Sequence, residues 1–266
     1  MRDWSMTKQE ILDAPLPDAT ETYAVIPHRV FLEEIQIELK NKGYEIVDER
    51  YITTHNRNVI SGVFKVRDGK CCEDFELAPA ISFVNSYNKT RKAEIRACAM
   101  VLVCKNGMMG AIDNGYYARK HTGNALEQFR EHIKLVVDGL QKEFARLVIN
   151  KEEMKNIELT SFMKAQLVGE MFVNEGLIKP TQLTILQKEM KTSEHFRSDS
   201  LWDFYNNCTE AFKENHPLTF DIQHIKFHTF ICDKFQLTGS RGLYSTLKYE
   251  ESINEFAFLD NEAIPL

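Results

Sequence analysis

The stretch that decides the fold is residues 74–104, DFELAPAISFVNSYNKTRKAEIRACAMVLVC. It contains two apolar segments, residues 74–84 and 95–104, on either side of a polar connection, residues 85–92. Short apolar runs that are bounded by polar turn residues are typical of β-strands. The stretch therefore predicts two strands of one sheet, joined by a polar loop.

An amphipathic helix and a hairpin precede this stretch. Phe31, Ile35 and Leu39 recur every fourth residue and Gly43 follows them, which predicts a helix over residues 28–42. Residues 44–53 and 58–66 then flank a polar turn, which predicts a β-hairpin. Together with the two strands above, the hairpin gives an antiparallel sheet of about four strands.

Downstream of Asn124 the spacing of apolar residues becomes helical. The pattern predicts one long helix over residues 126–147, and shorter helices over residues 160–174 and 181–191. Ser200, with Asp203 three residues later, is a typical helix start. The last helix is predicted over residues 220–235.

These elements predict an α+β fold, in which an N-terminal antiparallel β-sheet packs against a helical C-terminal half. The chain then divides into four segments. They are an extended N-terminal arm (residues 1–27), a β-rich half (28–123), a helical half (124–236) that forms one domain with the β-rich half, and an acidic C-terminal tail (237–266).

Composition narrows the class of protein. The chain has 266 residues, of which 43% are hydrophobic and 27% charged, as is ordinary for a globular protein. No apolar run approaches the roughly 20 residues that span a bilayer, and the N-terminus has no secretory pattern, so we expect a cytoplasmic protein without membrane contact. The six cysteines form no Cys-x-x-Cys pair, which favours free thiols over a disulfide framework.

Positive charge is concentrated in residues 85–121. This window has seven basic and two acidic side chains, a local net charge of +5, in a chain whose net charge is −6. A solvated loop with ordinary charge would explain the same residues, and charge alone leaves both readings open. A basic surface that contacts nucleic acid is the more specific hypothesis.

On that hypothesis each polar residue of the window has an expected role. The residues expected to contact phosphates are Lys89, Arg91, Lys92, Arg96, Lys105, Arg119 and Lys120. The residues expected to stack on bases are Tyr87, Tyr116 and Tyr117. Asn85, Ser86 and Asn88 are expected to hold the shape of the loop, because short polar side chains bond the backbone of tight turns.

No stretch of the sequence predicts a catalytic, metal or cofactor site. His224, His228 and Cys232 share one face of the last predicted helix, but a fourth zinc ligand at convincing spacing is missing, so we expect no bound metal. The sequence has no Walker loop, dinucleotide fingerprint or nucleophile elbow. We therefore expect no cofactor and a non-enzymatic role, and an enzyme that uses the polar loop and His121 is the least favoured reading.

The C-terminal tail is acidic and then apolar. Residues 249–266 contain five acidic residues and no Lys or Arg. The tip is similar to that of bacterial single-stranded DNA-binding proteins, which offer acids and a hydrophobic terminus to partner proteins. By this resemblance the partner-docking residues are Phe256, Phe258, Asp260, Ile264, Pro265 and Leu266. A frayed acidic terminus, or a tail that packs on the helical half, explains the same residues equally well.

Several short motifs, taken in order, resemble one known family. They are Ile26-Pro27-His28, Gly43-Tyr44-Glu45-Ile46-Val47, Asn85-Ser86-Tyr87-Asn88-Lys89-Thr90, Val103-Cys104-Lys105-Asn106-Gly107, Arg119-Lys120-His121-Thr122 and Trp202-Asp203-Phe204-Tyr205-Asn206-Asn207-Cys208-Thr209-Glu210. Over roughly residues 22–236 the chain resembles the phage/plasmid-like family of unknown function. The loop departs from the family at Thr90, where serine is usual, and Lys105 replaces a frequent acid. The resemblance implies a mobile-element setting and a recurring Asn-Ser loop, and no biochemical activity.

We therefore expect a non-enzymatic nucleic-acid-binding protein of a phage or plasmid, in the host cytoplasm, that serves replication or recombination. Single-stranded DNA is the favoured ligand. The expected partners are nucleic acid and replication, recombination or host defence proteins, and the chain could form a homo-oligomer. The alternative is a counter-defence or regulatory protein that binds a host protein and needs no nucleic acid.

Overall fold

The computed structural model confirms the α+β class. The residues that it describes are 7–18, 20, 23–54, 57–68, 74–102, 107–109, 116–216 and 219–240. An antiparallel sheet occupies the N-terminal half of these residues, and helices occupy the C-terminal half. Among the described residues, no helix is both long enough and apolar enough to cross a membrane.

The sheet has six strands in the described part of the chain. They are β1 (Tyr44–Thr53), β2 (Val59–Asp68), β3 (Leu77–Ser86), β4 (Ala93–Val101), β5 (Gly107–Met108) and β6 (Tyr116–Arg119). The order is β1-β2-β3-β4-β5, and β6 also pairs with β4. The four long strands correspond to the four predicted strands. The two short strands were not predicted, because segments of two and four residues are too short to show an alternating pattern.

The helices match their predicted positions closely. They are α2 (His28–Asn41), α3 (Ala125–Lys155), α4 (Ser161–Gly169), a π-helical turn (Glu170–Asn174), α5 (Pro180–Thr192), α6 (Leu201–Ala211) and α7 (Phe220–Phe235). Two short 3₁₀ turns follow, at Phe212–Glu214 and Thr238–Ser240. The Ser200 side chain accepts a hydrogen bond from the Asp203 amide and so begins α6 as predicted.

The N-terminal arm is not simply extended, which corrects the prediction. Lys8–Leu12 form a short helix, α1, that begins with a capping box between Thr7 and Glu10. Ile11, Tyr23 and Ile26 of the arm are buried. Prolines favoured an extended interpretation, but a buried apolar side chain anchors each part of the arm to the core.

Strand β1 lies at one end of the order and pairs with β2 alone among the described strands. Its register shifts between Ile46 and Asp48, so that Val47 forms a bulge. Exposed or half-buried charged side chains follow along the strand, namely Glu45, Asp48, Glu49 and Arg50.

Two large apolar clusters form the core, side by side on one face of the sheet. The first joins the sheet to α2 and to the first half of α3, and includes Phe31, Phe64, Phe83 and Phe129. The second joins the ends of β3, β4 and β5 to α4–α7, and includes Trp202. The 31-residue helix α3 contributes to both clusters and so connects the two halves of the chain.

A buried ion cluster fastens the β3–β4 loop to the helical half. The guanidinium of Arg91 donates two hydrogen bonds to the carboxylate of Asp221, of 3.1 and 2.8 Å, and one of 3.0 Å to Glu94. The Arg91 side chain is 1% exposed. Burial alone would raise the pKa of Asp221, but the charge and hydrogen bonds of Arg91 outweigh it and hold the pKa below its ordinary value.

We expect Asp221→Asn to destabilise the protein by on the order of 3 kcal/mol, because it leaves the buried Arg91 with one carboxylate instead of two. Urea unfolding at neutral pH measures the change. Glu45→Gln is the matched control, because it breaks an ion pair with Arg67 whose two side chains are 65% and 66% exposed. Exposed pairs of this kind contribute about 1 kcal/mol or less. Equal losses of stability in the two variants would contradict the role of Asp221 in fastening the β3–β4 loop to the helical half.

Candidate nucleic-acid interface

Three connections of the chain meet at one end of the sheet. They are the β1–β2 turn, the β3–β4 loop and the segment between β6 and α3. The Tyr87 amide donates to the Asn58 carbonyl at 2.6 Å, which joins the first two connections. Ala93 pairs with Arg119, so the loop also lies beside the third connection. We call this surface the basic end, after its exposed and half-buried cations Arg57, Lys89, Lys92, Arg119 and Lys120.

The floor of the basic end is a buried polar cluster around His28. The Asn85 amide group donates to the Ile26 carbonyl and to Nδ1 of His28, both at 2.9 Å. Nε2 of His28 donates to the Arg57 carbonyl at 3.2 Å, so the ring is the neutral Nε2–H tautomer. Tyr87 stacks on His28 with ring centroids 3.7 Å apart, and its hydroxyl accepts a 2.7 Å bond from the His28 amide.

His121 connects the arm to the same cluster. Its carbonyl accepts a 2.9 Å bond from the Ala24 amide, and its Nδ1 accepts a 3.3 Å bond from the Ile26 amide. Burial lowers the pKa of His121 to about 4 and that of His28 to about 3. Both rings are therefore neutral at physiological pH. His121, which the enzyme hypothesis required at a surface, is 5% exposed and holds the arm in place.

Short polar side chains shape the β3–β4 loop. The Ser86 hydroxyl donates to the Arg91 carbonyl at 2.9 Å and accepts from the Arg91 amide at 3.2 Å, which closes the base of the loop. Asn88 Oδ1 accepts from the amide and the hydroxyl of Thr90 at 3.2 and 2.6 Å. Lys89 at the tip has a φ of +65°, which bonds of this kind help to hold.

Two of the residues that were predicted to contact phosphates are buried. Arg91 and Arg96 are 3% and 5% exposed. Arg91 binds Glu94 and Asp221, as described above, and the Arg96 guanidinium lies 3.9 Å from the centroid of the Tyr116 ring. A charge that is already compensated inside the protein cannot reach a phosphate without breaking those contacts.

The predicted stacking tyrosines also serve the fold. Tyr87 stacks on His28, and Tyr117 stacks on His132 at 4.2 Å. Tyr116 is half-buried, and its hydroxyl donates to Glu94 at 3.2 Å. Tyr87 and Tyr117 are therefore buried within the fold, and the guanidinium of Arg96 lies over one face of Tyr116.

The remaining predicted residues have the following places. Lys89 is exposed, and its ammonium lies 4.6 Å from the centroid of the Tyr23 ring. Lys120 is exposed, and Lys92 and Arg119 are half-buried. Lys105 and the tail residues Phe256, Phe258, Asp260, Ile264, Pro265 and Leu266 lie outside the described residues.

The basic end contains two residues that were not predicted. Arg57 lies in the β1–β2 turn with a φ of +56°, and Tyr23 donates through its hydroxyl to the Tyr87 carbonyl at 2.9 Å. The sequence did offer a signal for Arg57, because it is a basic residue in the predicted hairpin turn. No sequence pattern connected Tyr23 to a loop more than sixty residues away.

The histidine and cysteine face of α7 is buried within the helical half. Nε2 of His228 lies 3.4 Å from Sγ of Cys232, and its Nδ1 lies 3.2 Å from the Tyr205 hydroxyl. His224 instead packs against the rings of Phe212 and Phe220. Among the described residues, no three His, Cys, Asp or Glu side chains lie close enough together to hold a metal ion.

We expect the neutral His121 to make folding sensitive to acid. The unfolded chain binds a proton at this residue below a pKa of about 6.5, whereas the folded protein binds it only below about 4. The unfolded state therefore holds more protons between these values, and stability falls as the pH falls through this window. Between pH 7.5 and 5.0 this one residue should remove about 2 kcal/mol of stability.

Urea unfolding of the wild type and of His121→Gln at both pH values measures this effect. The variant should be less stable at pH 7.5, and the difference between the two proteins should shrink by about 2 kcal/mol at pH 5.0. Glu143, whose pKa burial raises to about 7, opposes the trend in both proteins and cancels in the difference. A difference that is the same at both pH values would show that His121 is not buried in its neutral form.

One comparison with known proteins identifies a family for the chain. The model of the family described as domain of unknown function (DUF932) matches residues 16–230, which is most of the chain and includes every residue of the basic end. No curated protein and no solved structure is significantly similar to the chain. The chain belongs to the DUF932 family of domains of unknown function.

Proposed function

We propose that the protein binds nucleic acid through the phosphate backbone at the basic end, and that it does so without catalysis. The observation that carries the proposal is the convergence of three separate connections, each with at least one exposed or half-buried cation, on one end of the sheet. Arg57, Lys92 and Lys120, one from each connection, are 28 to 63 positions apart in the sequence, so the fold brings them together. A cluster of cations on a rigid support is the usual basis of phosphate binding.

The electrostatics of the surroundings supports the proposal. The carboxylates of Glu94 and Asp221, below the loop, are both hydrogen-bonded to the buried Arg91. His28 and His121 are neutral and form a support whose charge does not change near neutral pH. Because Tyr87 and Tyr117 are buried and Tyr116 is half-buried against Arg96, we expect contacts to phosphates rather than to bases, and binding with little sequence preference.

The finer parts of the proposal rest on the two resemblances in the sequence. The motif order similar to that of the phage/plasmid-like family supports a mobile-element protein of replication or recombination. The resemblance of the C-terminal tip to that of single-stranded DNA-binding proteins favours single-stranded DNA. The alternative, a regulatory protein that binds a host protein, predicts that the basic end binds no nucleic acid at all.

The variant Lys89→Ala/Lys92→Ala/Lys120→Ala should bind single-stranded DNA more weakly at every sequence tested. Three lost phosphate contacts should reduce the slope of log K against log salt by roughly 2, at about 0.7 for each contact. Fluorescence anisotropy of labelled oligonucleotides over a range of salt concentrations measures both quantities. Arg91 is left in place because its removal would damage the fold.

The matched control removes three exposed lysines from other surfaces, Lys134, Lys142 and Lys188. The two triple variants have the same net charge, so a nonspecific effect of charge would weaken both equally. We expect the control variant to retain the wild-type slope. Wild-type affinity and slope in the folded basic-end variant would exclude these lysines as phosphate contacts and would favour the host-protein alternative.

We further propose that the tail docks a protein partner of replication or repair. Residues 255–266 carry three acids, no cations and the apolar side chains of Phe256, Phe258 and Leu266. Removing them should leave DNA affinity the same or higher, because three negative charges are lost from the field of the chain. The same truncation should abolish capture of the partner, and Leu266→Ala alone should weaken it.

A pull-down beside a thermal melt tests the tail. If the tail packs on the helical half instead, truncation should lower the melting temperature and leave partner capture intact. That pair of results would contradict the docking role. Loss of capture at an unchanged melting temperature would support it.

A further inference from the structure

The helical half contains a small pocket that the proposed function does not use. It lies between the C-terminal end of α5, the turn after it and the second half of α6, and has a volume of about 280 Å³. Asn206, Asn207 and Glu210 of its wall come from the Trp202–Glu210 motif of the sequence. Most other residues of the motif pack in the core, so the pocket is where this motif reaches the surface.

The wall of the pocket is acidic. It includes Glu189, Glu194 and Glu210, against one cation, Lys213. Lys213 lies 2.6 Å from Glu210 and compensates that carboxylate. Glu189 and Glu194 have no hydrogen-bond or ion-pair partner among the described residues, so the pocket retains two negative charges.

One side chain of the wall favours a ligand that donates hydrogen bonds. Asn207, which is 5% exposed, lines the pocket. Its amide nitrogen donates to the Phe196 carbonyl at 3.3 Å, whereas its buried Oδ1 has no partner among the described residues. An unpaired buried acceptor is costly, and a donor from a ligand would remove that cost.

The shape of the pocket argues against a metal ion. The described carboxylates and His195 do not form a group of three that is close enough to coordinate one ion. The volume is also just below the roughly 300–1,000 Å³ of pockets that enclose a whole small ligand. Acceptors that are spread around such a space fit a guanidinium, whose five donors point in a fixed fork. The ring of Phe196 offers an apolar wall to the methylene groups of the same side chain.

We propose that this pocket binds an arginine side chain of a partner protein. The negative charge of Glu189 and Glu194 attracts the guanidinium, and the amide oxygen of Asn207 accepts a hydrogen bond from it. The pocket is therefore a protein-docking site in the helical half, separate from the basic end and of opposite charge.

Titration of the ¹⁵N-labelled full chain with acetyl-Gly-Arg-Gly-amide tests the proposal. A single side chain should bind weakly, with a Kd that is roughly millimolar, and should shift the signals of the Asn206 and Asn207 side-chain amides and of the His195 ring. The same peptide with citrulline has the same shape and no charge, and it should shift none of them. The double variant Glu189→Gln/Glu194→Gln should weaken binding by at least about tenfold, since two charge-assisted hydrogen bonds are lost.

The matched control is Glu33→Gln/Glu131→Gln, which removes from α2 and α3 two exposed carboxylates that have no hydrogen-bond or ion-pair partner among the described residues. It should bind the arginine peptide as the wild type does. Equal shifts with the citrulline peptide, unchanged binding by the folded Glu189→Gln/Glu194→Gln variant, or shifts caused by calcium chloride and not by the peptide would each overturn the proposal. Intact DNA binding by the Glu189→Gln/Glu194→Gln variant is expected, so this test is independent of the one at the basic end.

Discussion

The buried contact of Arg91 with Glu94 and Asp221 is the constraint on which the rest of the structure depends. Arg91 belongs to the loop between two central strands, and Asp221 lies in the first turn of a helix 130 positions later. A guanidinium without solvent must keep its carboxylates, because an unpaired buried charge costs several kcal/mol. The loop therefore has one position relative to α7, and the exposed Lys89 and the half-buried Lys92 are held with it.

The polar cluster below the loop places a second constraint on the same surface. The hydrogen bonds of the His28 ring with the Asn85 amide group and with the Arg57 carbonyl require a single tautomer of the imidazole. A protonated His28 could not accept from Asn85, so the pattern itself excludes the charged ring. The cations at the surface are thus supported by groups that carry no charge of their own, and the positive potential comes from the lysines and arginines alone.

The regular elements could be predicted from the sequence because apolar spacing reports which face of a helix or strand is buried. The pattern of Phe31, Ile35 and Leu39 gave α2, and the apolar runs on either side of the Asn-Ser loop gave β3 and β4. The candidate site could be predicted only in part. The charge count over residues 85–121 treated Arg91 as equivalent to Lys89. The sequence does not show that the Arg91 side chain is buried, and its partner Asp221 is distant along the chain. The closeness of Tyr23, His28 and His121 likewise depends on tertiary contacts that no local pattern records.

The bulge at Val47 has a consequence for how copies of the chain can associate. A long strand at the margin of a sheet is a template onto which another molecule could add its own strand. Here the extra residue interrupts the register of the margin, and the charged side chains of Glu45, Asp48 and Glu49, which bind Arg67, Arg50 and Lys8, lie on both sides of it. Growth of the sheet from one molecule into the next is therefore disfavoured along β1, and a homo-oligomer of this protein would have to form through side chains of another surface.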